Sequence, residues 1–77
     1  MSDVAQRVKD VVIATLKVDA ARVTDDARFV EDLGAESIQS IELIAAFEEE
    51  FDLDMDEEAA TGVKNVGDAV AFIAALL

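Results

Sequence analysis

The sequence predicts an all-α fold, a small four-helix bundle of three main helices plus one short helix, with a long loop between the first and second helices. Three stretches of the chain repeat apolar residues at helical spacing, and the chain contains no proline. With 77 residues, 53% of them apolar, the chain suits one small core and is too apolar for a disordered acidic tail. We therefore expect residues 1–77 to form a single domain.

The first helix is predicted from apolar residues that would share one of its faces. They are Val4, Val8, Val11, Val12 and Leu16. Ser2 or Asp3 is expected to cap this helix, because either side chain can accept a hydrogen bond from the free N–H groups of a first turn.

Residues 17–36 lack helical periodicity and are predicted to form the long loop. A few apolar side chains are expected to hold it to the core: Val18, Val23, Phe29, Val30 and Leu33. So long a loop is unusual in a small domain, and such loops often serve function.

The second helix is predicted from about Ser37 to Phe51, and it carries two apolar stripes. Leu43, Phe47 and Phe51 follow one line along the helix, with Ile44 beside them, and form the expected core face. A helix on the surface of a small bundle needs only one such face.

The second stripe is predicted to be a docking surface for a partner protein. Its apolar residues and the carboxylates that flank them are Ile38, Ile41, Ala45, Glu42, Glu48 and Glu49. Carboxylates are not buried without partners, which favours an exposed stripe. The alternative is a central helix that is buried on both sides.

The remaining chain is predicted to form a link, a short helical turn and a last helix. Asp52–Asp56 alternates acidic with apolar residues, but an isolated strand has nothing to pair with, so we interpret it as a link. Glu57 to Thr61 would form the turn, which ends at Gly62. The last helix would follow Asn65, with Asp68 completing a capping box. Its buried stripe would be Val66, Val70, Ile73 and Leu77, widened by Ala69, Phe72 and Leu76.

Charge is distributed unevenly along the chain. Residues 1–28 contain five acids and five bases, whereas residues 29–77 contain 13 acids and one base, so the net charge of −12 lies entirely in the second part. Such a field repels nucleic acid and anionic membranes, and it attracts basic protein surfaces. It also opposes self-association, so we expect a monomer.

The residue types exclude most catalytic chemistry. The chain has no cysteine and no histidine, which removes thiol nucleophiles, Cys-ligated metals and the Ser–His–Asp triad. We therefore expect no enzyme activity and no catalytic residues. No apolar run reaches the length of a membrane span, and the first residues do not resemble a signal peptide, so we expect a cytoplasmic protein.

Ser37 is the candidate modification site. It lies where the long loop meets the second helix, and a phosphate ester on its hydroxyl would sit at the positive end of the helix dipole. Gly34 and Ala35 leave little bulk in front of it. The alternative is that Ser37 only caps the helix.

The acidic link offers a rival interpretation. Asp52, Asp54 and Asp56 match the opening of a calcium-binding EF-hand loop, but Glu57 stands where that loop requires glycine and Val63 where it requires an acid. We therefore predict no dedicated metal site, and keep weak divalent-cation binding as a less favoured alternative.

The stretch Asp32-Leu33-Gly34-Ala35-Glu36-Ser37-Ile38, followed by Ile41-Glu42-Leu43 and Phe47-Glu48-Glu49-Glu50-Phe51, closely resembles the acyl carrier protein family. The resemblance covers nearly the whole chain. It implies a noncatalytic four-helix bundle whose Ser37 carries 4′-phosphopantetheine, transferred from coenzyme A by a holo-acyl-carrier-protein synthase or another phosphopantetheinyl transferase. The arm's thiol would carry acyl groups as thioesters, and the bundle interior would shelter them.

The resemblance also implies partners: acyl transferases, synthases and ligases with basic patches, in fatty acid, lipid or polyketide synthesis. By position, the family's recognition residues correspond to Glu36, Ile38, Glu42, Ala45, Glu48 and Glu49, and Ile41 of the second stripe completes the predicted docking set. Gln39 replaces a frequent acid, Ala45 a bulkier residue and Asp56 a common proline, which favours a specialised carrier over a housekeeping one. An unmodified acidic docking module is the remaining alternative.

Overall fold

The computed structural model describes residues 3–77, except for the side chains of Glu57 and Ala59. Four helices follow one another along the chain: α1 (Val4–Leu16), α2 (Ser37–Phe51), α3 (Glu57–Ala60) and α4 (Val66–Leu76). A 3₁₀ turn at Ala20–Arg22 interrupts the long loop between α1 and α2. The described residues contain no strand longer than an isolated bridge, which confirms the all-α bundle.

Helix α1 buries its predicted face against α2 and α4. Val8, Val12 and Leu16 are buried, while the helix ends where Lys17 adopts a left-handed conformation with φ of 57°. Asp3 occupies the N-cap position, but its side chain makes no capping hydrogen bond, so the predicted cap is wrong for this residue. The other candidate, Ser2, lies outside the described residues.

Helices α2 and α4 complete the core. Leu43, Phe47 and Phe51 of α2 are buried as predicted. On α4 the buried residues are Val66, Ala69 and Ile73.

The predicted stripe of α4 needs one correction at its end. Leu77 is 64% exposed and Leu76 is 47% exposed rather than buried, because both lie at the end of α4, beyond its last buried residue, Ile73. Val70 is only partly buried.

The long loop caps the N-terminus of α4. Val66 N–H donates to the carbonyl of Ala27 (3.0 Å), and Gly67 N–H donates to that of Asp25 (2.9 Å). These two N–H groups have no acceptor within their own helix, so the loop carbonyls take the place of water as their hydrogen-bond acceptors. The approach is close, since a Cβ on Gly67 would lie 3.1 Å from the Asp25 carbonyl oxygen.

Residues 28–34 form consecutive helical turns, which explain one wrong prediction. Asp32 N–H donates to the Arg28 carbonyl (3.0 Å), and Gly34 N–H donates to that of Val30 (3.1 Å). At this spacing Phe29 and Leu33 share the inward face, and both are buried. Val30 therefore faces outward and is 60% exposed, although it was predicted to anchor the loop.

The segment before α4 follows the predicted link, turn and cap. Residues 52–56 form no strand, and α3 ends at Ala60, one residue earlier than predicted. Asn65 caps α4, because its Oδ1 accepts from the N–H of Asp68 (2.7 Å). The reciprocal half of the box is absent, since the Asp68 carboxylate accepts from the N–H of Lys64 instead (3.4 Å).

Arg7 of α1 contacts the C-terminal end of α2. Arg7 Nε lies 2.8 Å from Glu50 Oε2, and Arg7 Nη2 donates to the Glu50 carbonyl (2.6 Å). The guanidinium also lies 4.5 Å from the centroid of the Phe51 ring. A cation is favourable here because the carbonyl groups at a helix C-terminus carry partial negative charge.

Replacing Ile73 by valine tests the core. Ile73 is fully buried, so Ile73→Val should lower the free energy of unfolding by about 0.5–1.5 kcal/mol, measured by urea titration with circular dichroism. The matched control is Ile41→Val, at a position that is 62% exposed, where we expect less than about 0.5 kcal/mol. Equal losses in both variants would contradict this assignment of the core.

Candidate attachment and docking site

Ser37 is the first residue of α2, and its side chain is exposed. Glu36, rather than Ser37, occupies the N-cap position, with extended φ and ψ of −89° and 168°. Gln39 closes the cap from inside the helix, because its Oε1 accepts from the N–H of Glu36 (2.9 Å). The interpretation of Ser37 as a cap is therefore wrong. Its hydroxyl makes no hydrogen bond with the backbone or side chains that the structure describes.

The backbone just before Ser37 is held by a hydrogen bond, and the space beside Gly34 is open. Ala35 is buried, and its N–H donates to the Phe29 carbonyl (2.8 Å). Gly34 has φ of 73°, and a Cβ built on it would meet nothing within 4 Å. Glycine is thus required for backbone conformation rather than for space. The arrangement leaves the Ser37 hydroxyl accessible to a large reagent.

Two arginines of the long loop hold the turn that precedes Ser37. Asp32 Oδ2 accepts from the backbone N–H of Arg28 (2.8 Å) and from Arg28 Nε (3.2 Å). Arg22 donates to the Asp32 carbonyl. The backbone hydrogen bond from Arg28, followed by the one from its side chain, holds the pKa of Asp32 below its ordinary value of 3.8.

The second stripe of α2 is exposed, so the interpretation of a helix buried on both sides is wrong. Ile38 is 63% exposed and Ile41 62%, and the other exposed members of the predicted docking set are Glu36, Glu42, Ala45 and Glu49. Glu48 differs from them, because it is partly buried and its Oε2 accepts from the N–H of Met55 (2.8 Å). That carboxylate therefore fixes the acidic link as well as adding charge to the stripe.

A cavity of about 470 Å³ opens between α2, the long loop and the segment from α3 to α4. We call it the α2 cavity. Its buried walls are Phe29, Leu43, Phe47, Met55, Ala60 and Ala69. Its rim comprises the exposed or partly buried residues Val30, Glu31, Ser40, Ile41, Ile44, Thr61, Val63 and Lys64. Sequence periodicity missed the walls outside α2, because no local pattern brings Phe29 and Met55 together.

A second, shallower concavity of about 390 Å³ lies at the C-terminal end of α2. Its lining residues are Ala45, Glu48, Glu49, Asp52, Leu53 and Asp54. Four of these six carry carboxylates, so the concavity suits a basic side chain whose alkyl part would contact the apolar residues.

The described residues give the cation-binding alternative no site. They bring no group of three or more potential ligands together for a metal ion. In the acidic link, Asp56 Oδ1 instead accepts from the N–H of Glu58 (3.0 Å). Among the described helices, none is long and apolar enough to cross a membrane.

Comparison with known proteins gives one consistent family. Residues 6–73 match the family described as a phosphopantetheine attachment site. The acyl carrier proteins of Sinorhizobium fredii and Rhizobium meliloti are each 52% identical over 73 residues, which cover 95% of this chain and 94% of theirs. A solved structure from Mycobacterium tuberculosis, described as an acyl carrier protein, superposes with a TM-score of 0.88 at 27% identity, covering 96% of this chain and 99% of that one.

The pH dependence of the Tm of Asp32→Asn tests whether the charge of Asp32 stabilises the turn before Ser37. Because the pKa of Asp32 is lowered in the folded chain, its ionised form stabilises the fold above pH 3.8, and this contribution is lost as the pH falls through the folded-state pKa. Asp32→Asn should therefore melt below wild type at pH 7, and the difference in Tm should shrink under acid.

Asp26→Asn is the matched control for this measurement. It removes the same charge from an exposed residue that has no hydrogen-bonded side chain among the described residues, so its Tm should not fall below wild type at pH 7. A difference for Asp32→Asn that stays constant from pH 7 to pH 3 would contradict the assigned role of its charge.

Proposed function

The chain belongs to the acyl carrier protein family, whose members are carriers and not enzymes, and we propose that it carries acyl groups as thioesters on a 4′-phosphopantetheine arm attached to Ser37. The exposed, unengaged hydroxyl of Ser37 at the start of α2 is the observation that carries this proposal. The arm would supply the thiol, which the chain itself lacks.

The residues around Ser37 suit an attached phosphodiester. The first N–H groups of α2 and the positive end of its dipole favour a negative charge at this position. The space beside Gly34 is open, since a Cβ built there would meet nothing within 4 Å. The chain has no histidine to act as a base, so a phosphopantetheinyl transferase would have to remove the hydroxyl proton during transfer from coenzyme A.

The docking set would present Ser37 to successive partner enzymes. Its exposed isoleucines, Ile38 and Ile41, lie within about one turn of Ser37, and Glu36 and Glu42 stand beside them. A partner with an apolar centre and a basic rim would match this surface. We expect the transferase and the acyl transferases, synthases or ligases to share this chemistry.

The α2 cavity would shelter the acyl chain. Ser40 and Ile41 of its rim follow Ser37 by about one turn of α2, so an arm on Ser37 would begin beside the opening. The buried walls are apolar and consist of phenylalanine, methionine, leucine and alanine, whereas the valines and isoleucines also expected from the sequence lie on the rim. Burial of an apolar chain there would be favourable by the hydrophobic effect.

Gln39 does not separate a specialised carrier from a housekeeping one. Its side-chain oxygen completes the cap of α2, and a glutamate at this position could accept the same hydrogen bond. Ala45 remains as a difference on the docking stripe itself. We expect the carrier to act as a cytoplasmic monomer, and competition with a standard carrier in a malonyl-transfer assay would separate a housekeeping role from a specialised one.

Modification of Ser37 is tested by intact mass. Incubation with coenzyme A, magnesium and a broad-specificity phosphopantetheinyl transferase should add one phosphopantetheine to the wild type and none to Ser37→Ala. Ser40→Ala is the matched control, because this serine lies one turn further along α2, and it should be modified like wild type. A folded wild-type chain that gains no mass would favour the unmodified docking module.

Charge reversal tests the docking set. Glu42→Lys should slow association with the same transferase by about ten-fold at low salt, because electrostatic steering depends on the local field. The association rate constant is measured by stopped flow at increasing salt concentration. Added salt should reduce the difference between the rate constants of wild type and Glu42→Lys. Asp26→Lys changes the net charge equally outside the docking set; an equal slowing by both variants would show that only net charge matters.

A further inference from the structure

Lys64 stands alone as a cation in the acidic part of the chain. It is the single base among residues 29–77, which carry 13 acids. Despite this excess of acids, Lys64 forms no ion pair within 4.0 Å with any side chain that the structure describes, whereas Arg7, Lys9 and Arg28 each do. Its ammonium group is therefore available to an external anion.

The position of Lys64 is fixed on the rim of the α2 cavity. Its carbonyl accepts from the N–H of Phe29 (3.0 Å), and its own N–H donates to the Asp68 carboxylate (3.4 Å). The backbone of Lys64 is thus held between the long loop and the start of α4. Ser40, about one turn after Ser37, lines the same cavity, so a group attached to Ser37 would meet this rim.

The α2 cavity should hold charged and uncharged acyl groups in different places. The buried walls are apolar, and moving a carboxylate among them without a partner is strongly unfavourable. An acyl group that ends in a free carboxylate must therefore keep that end at the rim. There Glu31 would repel it and Lys64 would attract it, while the net charge of −12 acts against it over longer distances.

We propose that Lys64 is a positioning residue that holds the carboxylate of short dicarboxylic acyl groups at the rim of the α2 cavity. The proposal rests on attachment at Ser37. An acyl group of the same length with an apolar end would enter the cavity and make no use of the ammonium group. The cation would thus let an acidic carrier hold an anionic cargo close to its surface.

A thermodynamic cycle tests this pairing. Ser37 is loaded with arms that bear either a succinyl or a butyryl group, which both contain four carbons, through an amide that does not hydrolyse during heating. Thermal midpoints are compared for wild type and Lys64→Met at low salt. We expect Lys64→Met to lower the Tm of the succinyl form by about 1–5 °C more than that of the butyryl form.

Glu31→Gln is the matched variant of opposite charge on the same rim. It should raise the Tm of the succinyl form relative to the butyryl form, and added salt should reduce both effects. The unmodified chains, melted alongside, report whether either substitution damages the fold itself.

The other outcomes overturn the proposal in distinguishable ways. Equal changes of Tm in the succinyl and butyryl forms of Lys64→Met that are absent from the unmodified chain would assign the ammonium group to the phosphate of the arm, which both forms share. An unchanged Tm in both loaded forms of Lys64→Met would show that Lys64 is a solvated surface charge with no role in holding the cargo. Failure to gain mass at Ser37 would overturn the proposed function, and this inference with it.

Discussion

The N-terminus of α4 begins with N–H groups that its own helix cannot satisfy, and the long loop provides their acceptors. The carbonyls of Asp25 and Ala27 accept from Gly67 and Val66, and Phe29 donates to Lys64 in the same antiparallel pairing. These bonds join residues that are 35 to 42 positions apart along the chain. They order a stretch of chain that has no periodic apolar pattern of its own.

The functional surface depends on this pairing. The N–H of Phe29 donates to the Lys64 carbonyl, and the carbonyl of Phe29 accepts from the N–H of Ala35, two residues before Ser37. The start of α2 is therefore fixed relative to the segment before α4. The cations of the first 28 residues reinforce the arrangement: among the described side chains, every ion pair uses Arg7, Lys9 or Arg28. The acids in these ion pairs are Glu50, Asp25 and Asp32, so none of the three bases neutralises an acid of the docking set.

Local patterns were sufficient to predict the helices, the core face of α2 and the position of Ser37 at its start. They were not sufficient where a residue's surroundings come from distant parts of the chain. Val30 faces solvent because helical turns over residues 28–34 give the inward positions to its neighbours. The capping role of Gln39 depends on backbone geometry, and the α2 cavity depends on packing between separate segments.

Hydrogen exchange of individual backbone amides tests the central claim, that pairing between the loop and α4 orders the path to Ser37. We predict that the amides of Phe29 and Gly67 exchange about as slowly as that of Ile73 in the core, because all three would open only with the fold. The amide of Asp26, which has no backbone acceptor among the described residues, should exchange much faster. Exchange of Phe29 and Gly67 at the rate of Asp26 would contradict the account.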